Sequence, residues 1–369
     1  MTSFDLNRQD LRLAIDKVRA GESLGEQWMQ SFVTHLVDNP PTENNALESD
    51  YGSRTRDLLA AIHQRGNRKS ELVGACRVIR ERSVSVAEAD DDMVDTCGTG
   101  GDGAGTFNIS TTAAIIVAGA GVKVAKHGNR AATSKCGSAD VLEALGVNID
   151  LNPAQSVEVL EQAGISFFYA RECHPVMATV ANLRKSIPHP TIFNLIGPLC
   201  HPMRVKHQLI GTPSPALSQL MGEAAIDLGA KVVWTVASAD GLDELSTAAT
   251  ATLYQYTRDR SQESASASPQ SSAVQFATTD IKPGALVPPS TLDQLQGGDA
   301  QTNAAIIRDI LGGNPSPKRD IAVLNAAAAI ALSPKATSLD EGLALANDSI
   351  DTGAAKAVLD AWIRQSNTL

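Results

Sequence analysis

Apolar side chains recur at helical spacing through the first ninety residues. They lie three or four positions apart, which is typical of helices that bury one face. A polar, proline-containing stretch at residues 39–53 interrupts the pattern. The pattern therefore predicts paired helices over residues 1–90. The positions that carry it are Leu11, Ile15, Val18, Trp28, Phe32, Leu36, Leu72, Cys76 and Ile79.

The pattern changes after the acidic run at residues 90–92. Short β-branched runs then alternate with alanine-rich helical stretches, which indicates a mainly parallel sheet with helices on both faces. The predicted strands include residues 122–124, 191–193 and 232–236. From Gly297 onward the chain again has the spacing of helices.

These patterns predict an α/β protein with a small all-helical domain and a larger α/β domain around a mainly parallel central sheet. The helical domain is expected over residues 1–90, with residues 172–190 packing on it. The α/β domain is expected over residues 91–171 and 191–369. A chain of 369 residues is long enough for two cores. The run RDRSQESASASPQSSA, at residues 258–273, is too polar to pack and is expected to be a surface insertion.

The run DTCGTGGDGAGTFNIST, at residues 95–111, concentrates glycines and hydroxyl side chains. Without Cβ atoms, the N–H groups of such a loop can approach the oxygens of an anion. The helix expected after residues 108–111 would add its own free N–H groups and its positive dipole end. The run fits neither a P-loop nor a Rossmann fingerprint. It predicts a phosphate-binding loop, with an ordinary strand-to-helix turn as the alternative. The glycines are Gly98, Gly100, Gly101, Gly103 and Gly105.

A second candidate loop lies within VKVAKHGNRAATSKCGSADVLEALG, at residues 122–146. The segment begins as a strand-like run and ends as a helix that Gly146 terminates. Cations and hydroxyl donors complement a ligand with several negative oxygens, although a solvated basic loop is the plainer interpretation. The cationic and hydroxyl side chains are Lys126, His127, Arg130, Thr133, Ser134, Lys135 and Ser138.

Asp243 and Glu244 follow the predicted strand at residues 232–236. In an open α/β sheet, the loops after the strands form the ligand-binding edge. Carboxylate oxygens suit Mg²⁺, which keeps several waters and bridges to phosphate oxygens. Acidic residues in a loop usually face solvent, but a polyanionic ligand needs a counter-charge that this acidic chain lacks overall. The pair is therefore a candidate Mg²⁺ site.

The composition narrows the function classes. A formal net charge of −10 argues against broad nucleic-acid binding, which needs a basic face. The five cysteines show no disulfide framework, and the apolar stretches near residues 113–122 and 321–332 are too short to span a bilayer. With no signal peptide evident, the composition predicts a cytoplasmic protein with no membrane or nucleic-acid partner. The cysteines are Cys76, Cys97, Cys136, Cys173 and Cys200.

Six motifs, taken together and in order, resemble the anthranilate phosphoribosyltransferase family. The resemblance extends from about Leu58 to Ile363. It implies transfer of the 5-phosphoribosyl group of 5-phosphoribosyl 1-pyrophosphate to the amine of anthranilate, with release of pyrophosphate, in tryptophan biosynthesis. It also implies the nucleoside phosphorylase/phosphoribosyltransferase class II type of fold, Mg²⁺ as cofactor and a homodimer. The motifs are GTGGDG, NIST, KHGNR, SKCGSADVLEALG, IFNLIGPL and GLDELS.

The family's motifs assign substrate contacts to residues of this chain. The resemblance places Gly98, Asn129 and Arg184 against anthranilate. It places the phosphoribosyl pyrophosphate donor against both candidate loops. The implied donor contacts are Gly98, Gly101, Asp102, Thr106, Asn108, Ile109, Ser110, Thr111, Lys126, His127, Gly128, Asn129, Arg130, Ala131, Ala132, Thr133, Ser134 and Ser138.

The resemblance also assigns the metal. Asp243 and Glu244 are the implied Mg²⁺ ligands, with the Ser110 hydroxyl as a further ligand. No general base is assigned, because an aromatic amine is neutral and nucleophilic at pH 7 and needs orientation more than deprotonation. Asn303, in the later helical region, is expected to cap and pack rather than to catalyse.

The segment at residues 171–202 contains the candidate contact for anthranilate, which accepts the phosphoribosyl group. If residues 174–187 are helical, Arg184 projects from one side, and its planar guanidinium matches a carboxylate. The segment departs from the usual family pattern at residues 188–190, where Pro-His-Pro replaces a stretch that often carries a glycine and an arginine. Arg184 is retained as the carboxylate contact, and no role is assigned to His189.

Two other functions remain open at this point. A pyrimidine nucleoside phosphorylase shares the fold type, but its nucleophile is inorganic phosphate, which leaves Arg184 without a role. A non-catalytic nucleic-acid-binding relative would carry a basic face. A Cys136 nucleophile with His127 as base lacks an orienting third group. The Cys-His pairs at residues 173–174 and 200–201 do not have the spacing of a structural zinc site.

Overall fold

The structure is a computed structural model that divides the chain into two compact units, each built from two stretches of sequence. The helical unit comprises Met1–Ser85 and Cys173–Cys200, and the sheet unit comprises Val86–Glu172 and His201–Leu369. The residues that the structure describes are 8–41, 50–131, 134–258 and 274–369.

Helices and strands are numbered along the chain. The helices are α1 Arg8–Arg19, α2 Glu26–Asp38, α3 Asp50–Arg65, α4 Lys69–Glu81, α5 Ile109–Gly119, α6 Ser138–Leu145, α7 Pro153–Ala163, α8 Ala170–Cys173, α9 Ala181–Lys185, α10 Ile196–Leu199, α11 Pro215–Asp227, α12 Ala300–Leu311, α13 Pro317–Ala331, α14 Leu339–Asp351 and α15 Ala354–Ser366. The strands are β1 Val94–Gly98, β2 Val124–Gly128, β3 Ile165–Tyr169, β4 His207–Gly211, β5 Val232–Ser238, β6 Ala251–Arg258 and β7 Val274–Ile281. Short 3-10 helices occur at Pro175–Ala178, Ile192–Asn194 and Leu292–Leu295.

Two helix pairs form the core of the helical unit, with α1 packed on α3 and α2 packed on α4. Phe32, Leu58 and Leu72 are fully buried there. Gly74 of α4 lies against α2, where a Cβ atom would come 2.5 Å from the Glu26 carbonyl oxygen. The α2–α4 packing therefore requires glycine at this position. The helical pattern predicted for this region is confirmed.

The seven described strands form one sheet in the order β3-β2-β1-β4-β5-β6-β7. Neighbouring strands are parallel from β3 to β5, and β6 and β7 are antiparallel. The predicted mainly parallel sheet is confirmed. In the register, Gly98 lies opposite Gly211, and Gly211 lies opposite Val236. The ends of β1 and β4 are therefore level, and β5 extends two residues further, to Ser238. We call this side of the sheet the carboxyl edge.

Helix α5 is the central helix of the sheet unit. Its residues Ile115, Ile116 and Val117 are fully buried, and it packs against α13, α14 and α15. A helix that is apolar all round is stable only when it is enclosed, which explains the run of small and aliphatic residues in α5. This enclosure fixes where the first turn of α5 lies relative to the strands.

Of the three predicted strand runs, residues 232–236 are a strand and residues 122–124 overlap a strand only at Val124. Strand β5 begins at Val232, and β2 begins at Val124, the last residue of the predicted run. The strand predicted at residues 191–193 is wrong, because Ile192–Asn194 is a 3-10 helix. The Thr191 N–H donates to the Asn194 side chain at 2.9 Å, and this local turn prevails over the β preference of the residues.

The unit boundaries differ from the expected domain limits at residues 90 and 190. The helical unit ends its first stretch at Ser85, and its second stretch runs on to Cys200, where Arg80 Nε donates to the Leu199 carbonyl at 2.7 Å. The predicted insertion at residues 258–273 included Arg258, which is the last residue of β6 and pairs with Val274. Residues 259–273 lie outside the described residues.

Two further expectations from the sequence concern membrane-spanning helices and disulfides. No helix among the described residues is long and apolar enough to cross a membrane. No disulfide joins any of the five cysteines, all of which are described.

Glu71 holds together the helical unit through a buried charge pair. Its side chain is 0% exposed, accepts a hydrogen bond from the Leu24 N–H at 2.9 Å, and pairs with both terminal nitrogens of Arg65. Glu71→Gln leaves the guanidinium without its counter-charge, and we expect a loss of about 3 kcal/mol in unfolding free energy. Urea unfolding followed by tryptophan fluorescence, in a chain that keeps Trp28 and carries Trp234→Phe and Trp362→Phe, measures the loss.

The matched control is Asp38→Asn. Asp38 pairs with Arg82 at the surface, where both side chains are at least 40% exposed. An exposed pair contributes less than about 1 kcal/mol, so this variant should unfold almost as the parent chain does. Equal losses in the two variants would show that burial does not set the value of the Glu71 pair.

Candidate active site

The candidate site lies in the sheet unit, at the carboxyl edge. The glycine loop follows β1, the basic loop follows β2, and the acidic loop that contains Asp243 and Glu244 follows β5. The edge at the carboxyl ends of parallel strands is where open α/β sheets bind ligands. The topology therefore brings the three predicted segments to one side of the sheet.

The glycine loop and the acidic loop are in direct contact. The Gly100 N–H donates to Asp243 Oδ2 at 2.9 Å. A Cβ atom on Gly98 would overlap the Asp243 carboxylate, and one on Gly211 would overlap the Asp243 backbone carbonyl. Gly98 and Gly211 are thus required by this close approach. Four further loop glycines have positive φ, which favours glycine over other residues: Gly100, Gly101, Gly103 and Gly105.

Glu244 contacts the first turn of α5. Its Oε1 accepts a hydrogen bond from the Ser110 N–H at 3.1 Å, so a carboxylate lies at the positive end of the helix. Lys126 is almost fully buried, and its Nζ donates to the Thr96 carbonyl at 2.6 Å and lies 3.5 Å from Ser110 Oγ. Of the three predicted metal ligands, Glu244 is thus hydrogen-bonded to the Ser110 backbone, and Asp243, the residue before it, is bonded to the glycine loop.

The surroundings of Asp243 and Glu244 carry too little positive charge to balance two ionised carboxylates. Burial, reinforced by nearby Asp102, raises the pKa of Asp243 to about 7. Burial and the adjacent Asp243 raise the pKa of Glu244 well above its ordinary value, and Lys126 lowers it only in part. Both shifts arise because charged carboxylates are costly in a desolvated place without a counter-ion. A cation at this position would relieve that cost.

The donors fit Mg²⁺ as a shared ligand. Mg²⁺ is held in proteins by one or two carboxylates together with waters and substrate phosphates, and a protein cage is not needed. The described residues contain no group of three or more His, Cys, Asp or Glu side chains arranged to hold a metal. Asp243 and Glu244, with Ser110, therefore suit an ion that arrives with, or is completed by, a polyanionic ligand.

The basic loop after β2 is tied to helix α6. Arg130 pairs with Asp140 and with Glu143, each at 2.9 Å, and these hydrogen bonds raise the pKa of its guanidinium further. Asp140 also accepts the N–H groups of Ala131 and Gly137, at 3.0 and 2.8 Å. The Arg130 charge is thus already compensated, so that Arg130 helps to set the shape of the loop.

Several residues predicted to contact the phosphoribosyl pyrophosphate donor are part of the internal structure of the carboxyl edge. His127 is buried, and its backbone N–H donates to Asp95 Oδ1 at 3.2 Å. Thr111 Oγ1 is buried without a hydrogen-bond partner in the described part of the chain. Ala132 and Thr133 lie outside the described residues. The predicted donor contacts that the structure describes are Gly98, Gly101, Asp102, Thr106, Asn108, Ile109, Ser110, Thr111, Lys126, His127, Gly128, Asn129, Arg130, Ala131, Ser134 and Ser138.

Arg184 lies in the helical unit, on the short helix α9. The helix expected over residues 174–187 is wrong as one element, because a 3-10 helix at Pro175–Ala178 precedes α9. Arg184 is partly buried, and burial lowers its pKa. Its guanidinium has no hydrogen bond or ion pair with any described residue. After the helix, His189 stacks on His63 with ring centroids 4.4 Å apart.

Two buried asparagines contact the loops of the site: from the sequence, Asn303 was given only a capping and packing role, and Asn325 was not singled out. Asn303 binds the Asn108 side chain, and Asn325 binds the backbone of Leu245, the residue after Glu244. Asn303 does not cap its helix, because the N-cap of α12 is Asp299. The available signal was a polar residue within an otherwise apolar helical face.

Relatives carry the same architecture over nearly the whole chain. The profile of the family described as "Glycosyl transferase family, a/b domain" matches residues 90–356. The anthranilate phosphoribosyltransferase of Rubrobacter xylanophilus is 41% identical over 360 residues, covering 97% of this chain and 98% of the relative. That of Roseiflexus sp. is 44% identical over 310 residues, covering 84% and 87%.

Solved structures agree with the sequence relatives. Anthranilate phosphoribosyltransferase from Thermus thermophilus is 33% identical, with a TM-score of 0.82 over 96% of this chain and 99% of that chain. The Saccharomyces cerevisiae enzyme in complex with PRPP and Mg is 25% identical, with a TM-score of 0.85 over 98% and 99%. On its sequence and its fold, the chain belongs to the anthranilate phosphoribosyltransferase family.

Proposed function

We propose that this chain transfers the 5-phosphoribosyl group of 5-phosphoribosyl 1-pyrophosphate to the amine of anthranilate, giving N-(5-phosphoribosyl)anthranilate and pyrophosphate in tryptophan biosynthesis. One observation carries the proposal. The glycine loop, the first turn of α5 and the Asp243–Glu244 pair form one hydrogen-bonded cluster at the carboxyl edge. In a member of this family, such a cluster suits a sugar pyrophosphate bound with a divalent cation.

The proposed donor site combines amide donors with acidic ligands. The N–H groups of the glycine loop face phosphate oxygens, and the first turn of α5 adds its dipole. Mg²⁺ held by Asp243, Glu244 and Ser110 would offset the charge of the pyrophosphate and make it a better leaving group. The yeast relative has been solved with PRPP and Mg, which supports this choice of metal.

The residues of the chain act mainly by placement. Departure of pyrophosphate leaves a positively charged ribose ring at C1, and fixed dipoles at the carboxyl edge stabilise the developing charges without rearranging. The aromatic amine attacks as the neutral base, so holding the two reactants in line supplies a large part of the rate. The absence of an assigned general base is consistent with this chemistry.

Arg184 is the proposed contact of the anthranilate carboxylate, with Gly98 and Asn129 as further acceptor contacts. The support for Arg184 is physical. A partly buried guanidinium whose pKa burial lowers, and which pairs with no described residue, is matched by a ligand anion. A carboxylate is the anion whose two oxygens fit the guanidinium fork.

The alternatives are not favoured. A pyrimidine nucleoside phosphorylase or a nucleic-acid-binding relative would not explain the matches to anthranilate phosphoribosyltransferases over almost the full length of the chain. A homodimer and a cytoplasmic location remain proposals. The reduced state of all five cysteines is compatible with a reducing compartment.

A fluorescence assay of anthranilate consumption tests the function. We expect anthranilate to disappear only when the sugar pyrophosphate and Mg²⁺ are both present, and EDTA should stop the reaction. The same preparation is then offered uridine or thymidine with inorganic phosphate. Phosphorolysis of either nucleoside without anthranilate consumption would replace the proposal with the phosphorylase.

Arg184→Ala tests the acceptor contact. The variant removes a charge-assisted pair to one substrate, so the anthranilate KM should rise about 10- to 100-fold while the donor KM changes less than about twofold. Steady-state kinetics with each substrate varied in turn measures both. Lys185→Ala is the control, because Lys185 is the exposed cation beside Arg184 on α9 and should change neither KM. Parallel rises in both KM values for Arg184→Ala would contradict the assignment.

Asp243→Asn tests the metal ligand. The amide can still accept the Gly100 N–H, but it loses the charge that binds a cation, so the Mg²⁺ concentration for half-maximal rate should rise about tenfold or more. The rate is measured against Mg²⁺ at saturating substrates. Asp293→Asn, an exposed carboxylate of the same unit, is the control. If both variants give the parent titration, Asp243 is not a ligand.

A further inference from the structure

Two asparagines are buried on helices that follow the sheet in sequence, far from the glycine and acidic motifs. Asn303 lies on α12 and Asn325 on α13, and each is about 1% exposed. A buried carboxamide is costly unless its donor and acceptor are both satisfied. Both side chains are satisfied, and in each case by a loop of the proposed donor site.

Asn303 connects three segments of the sheet unit. Its Nδ2 donates to Asn108 Oδ1 at 2.9 Å, and its Oδ1 accepts the Gly298 N–H at 2.8 Å. Asn108 in turn donates to the Cys136 carbonyl at 3.1 Å. The last residue of the glycine loop is thus held between α12 and the end of the basic loop.

The close packing around Asn303 limits alternative positions for this connection. A Cβ atom on Gly297 would lie 2.7 Å from the Phe107 backbone and 2.8 Å from Asn303 Oδ1. The Gly297 N–H also donates to the Gly105 carbonyl at 3.0 Å. The Gly297–Gly298 turn therefore lies directly against the end of the glycine loop. Asn303 is hydrogen-bonded to both the turn and the loop.

Asn325 makes the corresponding contacts with the acidic loop. Its Oδ1 accepts the Leu245 N–H at 2.9 Å, and its Nδ2 donates to the Leu245 carbonyl at 3.0 Å and to the Ile321 carbonyl at 2.9 Å. Both backbone groups of the residue next to Glu244 are therefore bound by one side chain. The other half of the Glu244–Leu245 peptide group is fixed too, since Ser238 Oγ donates to the Glu244 carbonyl at 2.7 Å.

We propose that Asn303 and Asn325 are positioning residues with separate tasks: Asn303 fixes the glycine loop for the sugar pyrophosphate, and Asn325 fixes the acidic loop for the metal. Neither side chain has to touch a substrate. The assignment rests on the proposed function for the identity of the ligands, but the link from each asparagine to its own loop does not depend on that function.

Hydrogen–deuterium exchange of the ligand-free protein tests that link. Asn303→Leu and Asn325→Leu keep the approximate volume and remove the hydrogen bonds. We expect Asn303→Leu to speed exchange in residues 99–108 at least about tenfold and to leave residues 239–247 nearly unchanged, and Asn325→Leu to do the reverse. Each variant is the matched control for the other.

Steady-state kinetics distinguishes the loss of loop positioning from a general loss of protein stability. Asn303→Leu should raise the donor KM about tenfold with little change in the anthranilate KM. Asn325→Leu should raise the Mg²⁺ concentration for half-saturation about tenfold, in the rate and in calorimetric titration of Mg²⁺ with the donor present. Ser349→Ala, which removes the buried bond from Ser349 to the Ile116 carbonyl, should change none of these values.

Milder variants keep the test decisive if a leucine variant does not fold. Asn303→Ser and Asn325→Ser retain a polar group that is too short for both bonds, and should give the same loop pattern with smaller changes. Equal exchange in both loops for both variants, or a parallel rise of all constants, overturns the proposal. If the parent chain transfers no phosphoribosyl group but the exchange pattern holds, the proposed function fails and the loop assignment stands.

Discussion

The arrangement of the carboxyl edge depends on two adjacent, partly buried carboxylates that pack against the glycine loop and the first turn of α5. Asp243 and Glu244 are each met by one backbone N–H, from Gly100 and from Ser110. Those amides belong to the glycine loop and to the first turn of α5, so the acidic loop and these two segments stabilise each other's conformation. The raised pKa values of the pair show that these two amides and Lys126 leave the charge incompletely balanced. Binding of a cation and a polyanion together would complete the balance.

The hydrophobic core of the sheet unit holds the loops of the carboxyl edge in position. Helix α5 is enclosed on all sides, which holds its first turn against the ends of the parallel strands. At the same edge, Gly98 and Gly211 leave room for the Asp243 side chain and backbone. Bulkier residues at either position would separate the loops that the hydrogen bonds bring together. Packing and glycine placement thus fix the positions of Asp243 and Glu244 at the carboxyl edge.

Much of this could be predicted from the sequence because it is encoded locally. The glycine run, the start of α5 and the alternation of strands and helices are patterns within short windows. The strand predicted at residues 191–193 failed because a local turn with Asn194 overrides residue preference. The contacts of Asn303 and Asn325 were not predicted for a different reason: their partners Asn108 and Leu245 lie 195 and 80 residues away along the chain. Only the folded arrangement shows such contacts. The same holds for Arg130, whose acidic partners on α6 compensate its charge.

The pairing of Arg258 with Val274 closes the end of the β6–β7 ladder at the outer side of the sheet. The strands meet there whatever length of chain joins them, and the entropy of closing a flexible connection grows by only about 0.6 kcal/mol for each doubling of its length. Strand β7 is the edge strand and is almost wholly exposed, so its own packing adds little to the core. The junction between β6 and β7 is therefore a place where an affinity tag or fluorescent reporter would add chain length at a small cost in folding free energy.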